Sequence, residues 1–396
     1  MTPDHRSCPV CAADGATLLR HQRFELPEGH PLSNGYDVVE CGRCDFVFAD
    51  TTVSQADYDR FYALFSKYED NKTSTGGTEN PFDRARLEIT ARQLTEELRD
   101  PAARILDVGC ANGGLLLALK NLGVASLVGI DPSSACVANT RSLGLEAHQG
   151  SLFQPFPHGS FDCVVLSHTL EHIQDVRGAL DWIGERLDPA GRRLVYIETP
   201  DATRYVDFLY APFQEFNTEH INHFSETSLV NALELAGFET LHTGQKVLAA
   251  TAEMGYPAVY GFWRKAATRA TAPRRDPLMV ERMAAYVARS KADLEAMDAR
   301  LRAVIEKHPR VVVWGTGQLA NKLLIETCLG QADIAAFVDS NPINHGKVLR
   351  GVEIIAPAAL RDRAEPIVIT TTLHNRAIAD QIRGMGLGNE VVCLAD

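Results

Sequence analysis

A chain of 396 residues is long enough for two or three domains with a sizeable core. Hydrophobic residues make up 45% and charged residues 23%, an ordinary balance for a soluble globular protein. The formal net charge of −12 argues against a nucleic-acid binder, because neutralising phosphates needs a basic surface, yet it leaves room for one basic pocket that takes a small anion.

The first residues, Met1 to Arg6, lack the apolar core of a signal peptide, and no apolar run approaches a membrane span, so a cytoplasmic protein without membrane contact is expected. Nine cysteines, odd in number and scattered, do not read as a disulfide framework. Four of them form two knuckles, Cys8-Pro9-Val10-Cys11 and Cys41-Gly42-Arg43-Cys44. Each C-x-x-C turn lets two thiolates face one ion, and two turns complete a tetrahedral site, so residues 1–70 are expected to form a zinc-binding unit with a closed, structural Zn2+. Redox use of the pairs is the competing reading. Aromatics at 58, 61, 62, 65 and 68 fit one face of a helix over 57–68. A polar loop over 69–80 and an amphipathic helix over 82–98 follow.

The central stretch is Ile105-Leu106-Asp107-Val108-Gly109-Cys110-Ala111-Asn112-Gly113-Gly114. It reads as a buried strand, a glycine turn and the N-terminus of the helix 115–120. Such a junction brings backbone N–H groups close to a ligand. A second apolar run, Leu127 to Ile130, ends at Asp131, where a carboxylate can accept hydrogen bonds from ribose hydroxyls. Helix and strand then alternate: a helix over 134–143, strands at 146–149, 161–166 and 193–198, and the segment Ser167-His168-Thr169-Leu170-Glu171-His172-Ile173 at the carboxyl end of the fourth strand. The spacing predicts a doubly wound α/β core within 71–255. After the fifth strand comes a polar, aromatic, histidine-rich segment, 213–225, in which Glu219, His220 and His223 are candidates for acid/base work, a structural network or a weak metal site. Glycines and prolines over 255–275 read as a domain boundary. Residues 256–308 are expected to be a linker and a connecting helix, and 309–396 a Rossmann-like α/β unit. There Gly315-Thr316-Gly317 and Asp339 resemble a dinucleotide fingerprint, with structural or substrate-binding use at least as well supported as bound NAD. The strand 367–371 is expected to be the last parallel one.

Acid-x-Gly-x-x-x-Gly, with Asp131 placed 24 residues after Asp107, resembles the class I S-adenosylmethionine (SAM) methyltransferases. The resemblance implies that Asp107, Gly109, Cys110, Asn112 and Gly113 wrap the amino-acid end of SAM. It implies that Asp131 and Pro132 meet the ribose, Ser151 and Leu152 the adenine, and His168 the ligand crevice. The order of parts, zinc knuckles then SAM core then Rossmann-like unit, is similar to the sugar C-methyltransferases that act on nucleotide-linked ketosugars. That likeness implies acid/base roles for Glu219 and His220, a role at the acceptor for His172, and a match of Tyr68 to a tyrosine before the core. Where that family tends to carry a tyrosine two residues before the Glu, this chain has Asn217. O-methylation of a sugar or natural-product hydroxyl would use the same residues. A non-catalytic SAM- or nucleotide-binding module and an NAD-dependent oxidoreductase are the readings from other classes.

Overall fold

The protein is described from a computed structural model covering residues 6–26, 29–64, 77, 80–156, 159–251 and 254–395. Two compact units divide the chain: one holds residues 1–21, 27–208 and 218–283, the other 22–26, 209–217 and 284–396. Among the described residues, no helix is long and apolar enough to cross a membrane.

The first unit opens with three strands, β1 (Ala16–Arg23), β2 (Gly35–Cys41) and β3 (Val47–Asp50), followed by helices α1 (Gln55–Leu64) and α2 (Pro81–Leu98). Asn80 starts α2: its side chain accepts the N–H of Phe82, and Pro81 fills a position with no intrahelical N–H to lose. The alternating region then follows as β4 (Arg104–Val108), α3 (Gly114–Asn121), β5 (Ser126–Asp131), α4 (Ser134–Ser142), β6 (Glu146–Gln149), β7 (Cys163–Ser167), α5 (Val176–Arg186) and β8 (Leu194–Pro200). A short β9 (Asn222–His223), α6 (Glu226–Leu235) and a long hairpin of β10 (Phe238–Ala249) and β11 (Gly255–Lys265) complete it.

Strands β4 to β8, β10 and β11 form a seven-stranded sheet in the order β10-β11-β8-β7-β4-β5-β6. β4 to β8 are parallel to one another, and β11 runs antiparallel to β8 and β10. Near-continuous apolar runs such as Cys163 to Leu166 suit a sheet covered on both faces. From β4 the chain winds outward to β5 and β6, then returns to place β7 on the other side of β4. Ligands of open α/β sheets bind at the carboxyl ends of strands beside such a reversal.

Two expectations about boundaries are corrected. β11 lies inside the sheet, paired with β8 from Ala258–Pro200 to Arg264–Leu194, so the core runs past 255. Glycine and proline within 255–261 read as a break, but the long hairpin tolerates them; Pro257 sits opposite Val247, and its carbonyl accepts the N–H of Asp201 at 3.1 Å. The amino-terminal sheet is also not a separate body. Its order is β1-β2-β3-β9, so its last strand comes from the segment after the fifth core strand. Cys8, Phe46 and Phe48 share one hydrophobic core with Leu166, Ile197 and Phe224.

The second unit contains the Ala284–Lys307 part of the long helix α7 (Pro277–Lys307) and the elements β12 (Arg310–Trp314), α8 (Gln318–Glu326), β13 (Asp333–Val338), β14 (Val348–Leu349), β15 (Val352–Ile355), β16 (Ile367–Ile369), α9 (Asn375–Gly384) and β17 (Val391–Cys393). Its sheet has six strands in the order β14-β15-β13-β12-β16-β17. β17 pairs in parallel with β16, so the strand at 367 is not the last parallel one. Only three residues long and preceded by a Gly-rich turn, β17 carried too short a pattern to read.

Candidate functional site

The glycine turn after β4 is shaped by contacts that a side chain would block. Gly109 has φ +76°, and a Cβ there would meet Thr169 Oγ1 at 2.6 Å. Gly113 has φ +77°, and its Cβ would meet Thr140 at 2.8 Å. Both positions therefore need glycine for backbone conformation and for close approach. Asp131 closes the turn from the end of β5: one carboxylate oxygen accepts the N–H of Ala111 at 2.9 Å and the other the N–H of Ser133 at 2.9 Å. Burial pushes Asp107 up to about 7, helped by the neighbouring charge of Asp131, and burial pushes Asp131 up to about 6. Two buried carboxylates at one loop favour a cationic ligand there.

Thr169 couples this loop to the end of β7 by donating to Val108 O at 3.0 Å. His168, just before it, adopts φ +55°. Three residues further, His172 donates from Nδ1 to the carbonyl of Glu219 at 2.9 Å, and Ile221 N–H donates to Glu171 O at 3.0 Å. The L-E-H-I segment is thereby bonded to the Glu219–His220 segment. The rings of His172 and His220 stand 5.0 Å apart, and Tyr62 of α1 packs edge-on to His172 at 5.7 Å. Burial lowers the pKa of His172, and the nearby His220 adds to this against the pull of Glu171. Burial disfavours the Glu171 carboxylate, but His168, His172 and His220 outweigh it and hold the group below its ordinary range.

Asn222 and Arg6 lock this arrangement from behind. Asn222 Nδ2 donates to the carbonyl of Ile173 at 2.7 Å, and its Oδ1 accepts from Arg6 at 3.1 Å. Arg6 also donates to Ala49 O at 3.1 Å and to Gln174 O. Burial lowers the Arg6 pKa to about 10.

His168 also joins a buried polar network centred on Glu198 at the end of β8. Its carboxylate receives His168 Nε2 at 2.9 Å, Lys246 Nζ at 2.6 Å, Tyr196 OH at 2.5 Å and Thr90 Oγ1 at 3.1 Å. Burial opposes the charge, and His168 and Lys246 overcome it, so Glu198 sits well below the usual carboxylate range. Glu198→Ala strands a buried cation and an imidazole, and should cost about 3–5 kcal/mol in chemical denaturation. A loss below about 1 kcal/mol would mean that the network bears no stability.

The two cysteine knuckles have matching backbone geometry. Cys8 N–H donates to Ala13 O and Ala12 N–H to Cys8 O; Cys41 N–H donates to Phe46 O and Asp45 N–H to Cys41 O. Ala12 and Asp45, each directly after its second cysteine, both take left-handed φ, +57° and +62°. Sulfur separations are 3.7 Å for Cys8 and Cys44 and 3.6 Å for Cys11 and Cys41, with all four sulfurs within 4.8 Å of one another.

A family model described as a methyltransferase domain matches residues 82–243, from α2 into β10. Residues 82–243 are a class I SAM-dependent methyltransferase domain. Curated relatives match part of the chain. "O-methyltransferase resE" of Aspergillus sclerotiorum is 26% identical over 149 residues, 34% of this chain and 56% of the relative. "Ubiquinone biosynthesis O-methyltransferase" of Azorhizobium caulinodans is 29% identical over 162 residues, 37% of this chain and 63% of the relative. The matched stretch thus spans less than two thirds of either relative. Among solved structures, magnesium protoporphyrin IX methyltransferase (ChlM) of Synechocystis PCC 6803, with bound SAH, is 16% identical with a TM-score of 0.42, covering 54% of this chain and 100% of that one.

Within the methyltransferase domain, the positions expected around the donor lie on and after β4, β5, β6 and β7. Cys110 is buried, and Asn112 Oδ1 accepts from Asn139 at 2.8 Å. Pro132 O accepts from Gln149 Nε2 at 3.1 Å. Ser151 donates to Asp59 of α1 at 2.7 Å, and Leu152 is buried in the core. The sequence offers no acid next to Ser151; Asp59 arrives from a helix 92 residues away. Tyr68 lies outside the described residues. His223 does not join the His172–His220 pair: it is buried against Tyr205, whose OH lies 3.4 Å from Nδ1, and burial lowers its pKa to about 3, with the nearby His220 adding to this. Glu171 was the principal residue missed. It stood in the open beside His172, and only its burial marks it.

Proposed function

We propose that the protein transfers a methyl group from SAM to carbon on a nucleotide-linked ketosugar. The observation that carries this reading is the junction at the β4/β7 reversal, where the glycine turn touches Thr169 and the next turn bonds His172 to the Glu219–His220 segment. Donor loop and titratable groups thereby border one crevice. Carbon methylation needs a carbanion equivalent. A base of the Glu219–His220 segment removes a proton beside the ketone, the enolate oxygen forms facing the Glu171–His172–His220 trio, and the carbon attacks the sulfonium methyl in line. S-adenosylhomocysteine leaves, and the proton stays on the base until solvent takes it. The three-part order of the chain supports the sugar acceptor.

O-methylation is the second reading, favoured by the names of the curated relatives described above. Both readings share the donor site. Isothermal titration with SAM, followed by assay of S-adenosylhomocysteine formation with ketosugar and phenolic acceptors, tests them together. Tight SAM binding and turnover with a nucleotide-linked ketosugar is the expected result; turnover with phenols alone would transfer the assignment to O-methylation.

The cysteine centre is proposed to hold structural zinc. Four thiolates at Zn–S distances of about 2.3 Å would have sulfurs about 3.8 Å apart, close to the separations of the two pairs. Zn2+ would there fix the two knuckles, and through the β3–β9 pairing the segment carrying His220. Cys41→Ser should lower zinc from one ion per chain to none in elemental analysis and lower stability by several kcal/mol. Unchanged melting in the zinc-free variant would contradict a structural role.

A further inference from the structure

We infer that Glu171, His172 and His220 form a second metal site, for a single divalent cation held by nitrogen and oxygen. One ligand atom from each lies within 4.8 Å of the others. The orientation of His172 carries the argument. Its Nδ1 donates to the Glu219 carbonyl at 2.9 Å, which leaves the lone pair of the neutral ring on Nε2. That Nε2 faces Glu171 Oε1 at 3.8 Å. A backbone carbonyl fixing one imidazole nitrogen while the other faces a carboxylate is the outer-shell pattern of a metal-ligating histidine.

Glu171 supplies the second, independent observation. It is 2% exposed, and neither carboxylate oxygen has a hydrogen-bond partner among the described residues. His168 Nδ1 lies 3.5 Å and His172 Nε2 3.8 Å from Oε1, both at ion-pair distance. His168 is already bonded through Nε2 to Glu198 at 2.9 Å. A carboxylate is acceptor-only when ionised, and burying one without donors is costly. The three imidazoles offset that cost through space, and a cation between Glu171 and Nε2 of His172 would add the direct partner that both carboxylate oxygens lack. Two histidines and one carboxylate leave coordination positions open, the arrangement of sites that bind a substrate oxygen.

The use of this ion rests on the methyltransferase reading. An enolate or alkoxide oxygen brought to Glu171 and a histidine lone pair would meet acceptors alone. A divalent cation turns the same pocket into one that stabilises the oxyanion. The proton then passes to a group outside the trio, and Glu219 is its neighbour in sequence.

The probe is Mn2+, a hard ion that competes poorly for four thiolates. The full-length protein is treated with a mild chelator, zinc per chain is counted before and after, and Mn2+ is titrated with the free ion followed by electron paramagnetic resonance. SAM binding is measured calorimetrically on the same samples. Expected is one Mn2+ per chain, weakened at least about tenfold in Glu171→Gln and in His220→Gln, with zinc content unchanged. No stoichiometric Mn2+ in the wild-type protein, or equal binding by a folded Glu171→Gln, overturns the inference. SAM binding without Mn2+ binding removes the ion and keeps the donor reading. Mn2+ binding without SAM binding keeps the ion and removes the methyltransferase reading.

Discussion

His220→Ala should lower kcat by about 10²- to 10⁴-fold while leaving the Kd for SAM within about twofold, measured by S-adenosylhomocysteine release and calorimetry. His220 lies opposite His172, on a segment whose backbone is held independently of its imidazole. Ile221 donates to Glu171 O, and Asn222 reaches three carbonyls of the Leu170–Ile173 turn. Removing the side chain should therefore leave the loop in place. The donor loop is built from β4, β5 and Thr169, none of which contacts the lost ring in a bond described above. A variant that turns over normally would remove this segment from the chemistry. Equal losses of turnover and SAM affinity would place His220 in the donor site instead.

Asp131→Ala should weaken SAM by at least on the order of 100-fold. Its carboxylate accepts two backbone N–H groups, from Ala111 and Ser133, and hydrogen bonds to charged groups are each worth about 1.5–3 kcal/mol. Without it the turn loses its anchor as well as its charge. A pH signature accompanies this. Burial raises Asp131 to about 6 and Asp107 to about 7 in the ligand-free protein. A cation binds best when both are ionised. As pH falls through 7 toward 6 the free protein takes up protons that the complex must release, so the SAM Kd should rise, with little change above about pH 8. A Kd that stays flat from pH 8 to pH 5.5 would contradict a role for these carboxylates beside the donor.

What could be read from the chain depended on how local the signal was. The turn from Asp107 to Gly114 and the second acid at Asp131 are each contained in a few residues, and strand-turn-helix order follows from apolar runs and glycines. The cysteine knuckles are equally local, and the four thiols converge as the spacing implies. The hairpin β10–β11 was lost because its strands alternate polar and apolar residues and contain Gly and Pro, which read as a boundary. β9 was lost because two residues carry no pattern. It nevertheless ties the histidine-rich segment to the amino-terminal sheet through β3. Glu198, Lys246 and Asp59 meet partners from 30 to 156 residues away, and no spacing rule encodes such meetings. Glu171 differs. It stands beside His172 in plain sequence, yet no local pattern marks it, and only its burial in the folded chain does.

The most direct test of methyl transfer to carbon is mass spectrometry of small-molecule products after incubation with SAM bearing a trideuterated methyl group and a panel of nucleotide-linked 4-ketosugars. A parallel reaction uses ordinary SAM in deuterated water. The account predicts a product that gains the labelled methyl on carbon, with solvent deuterium exchanged into the acceptor position in the parallel reaction. A labelled methyl on oxygen with no solvent exchange, or tight SAM binding with no methylated sugar, would contradict it.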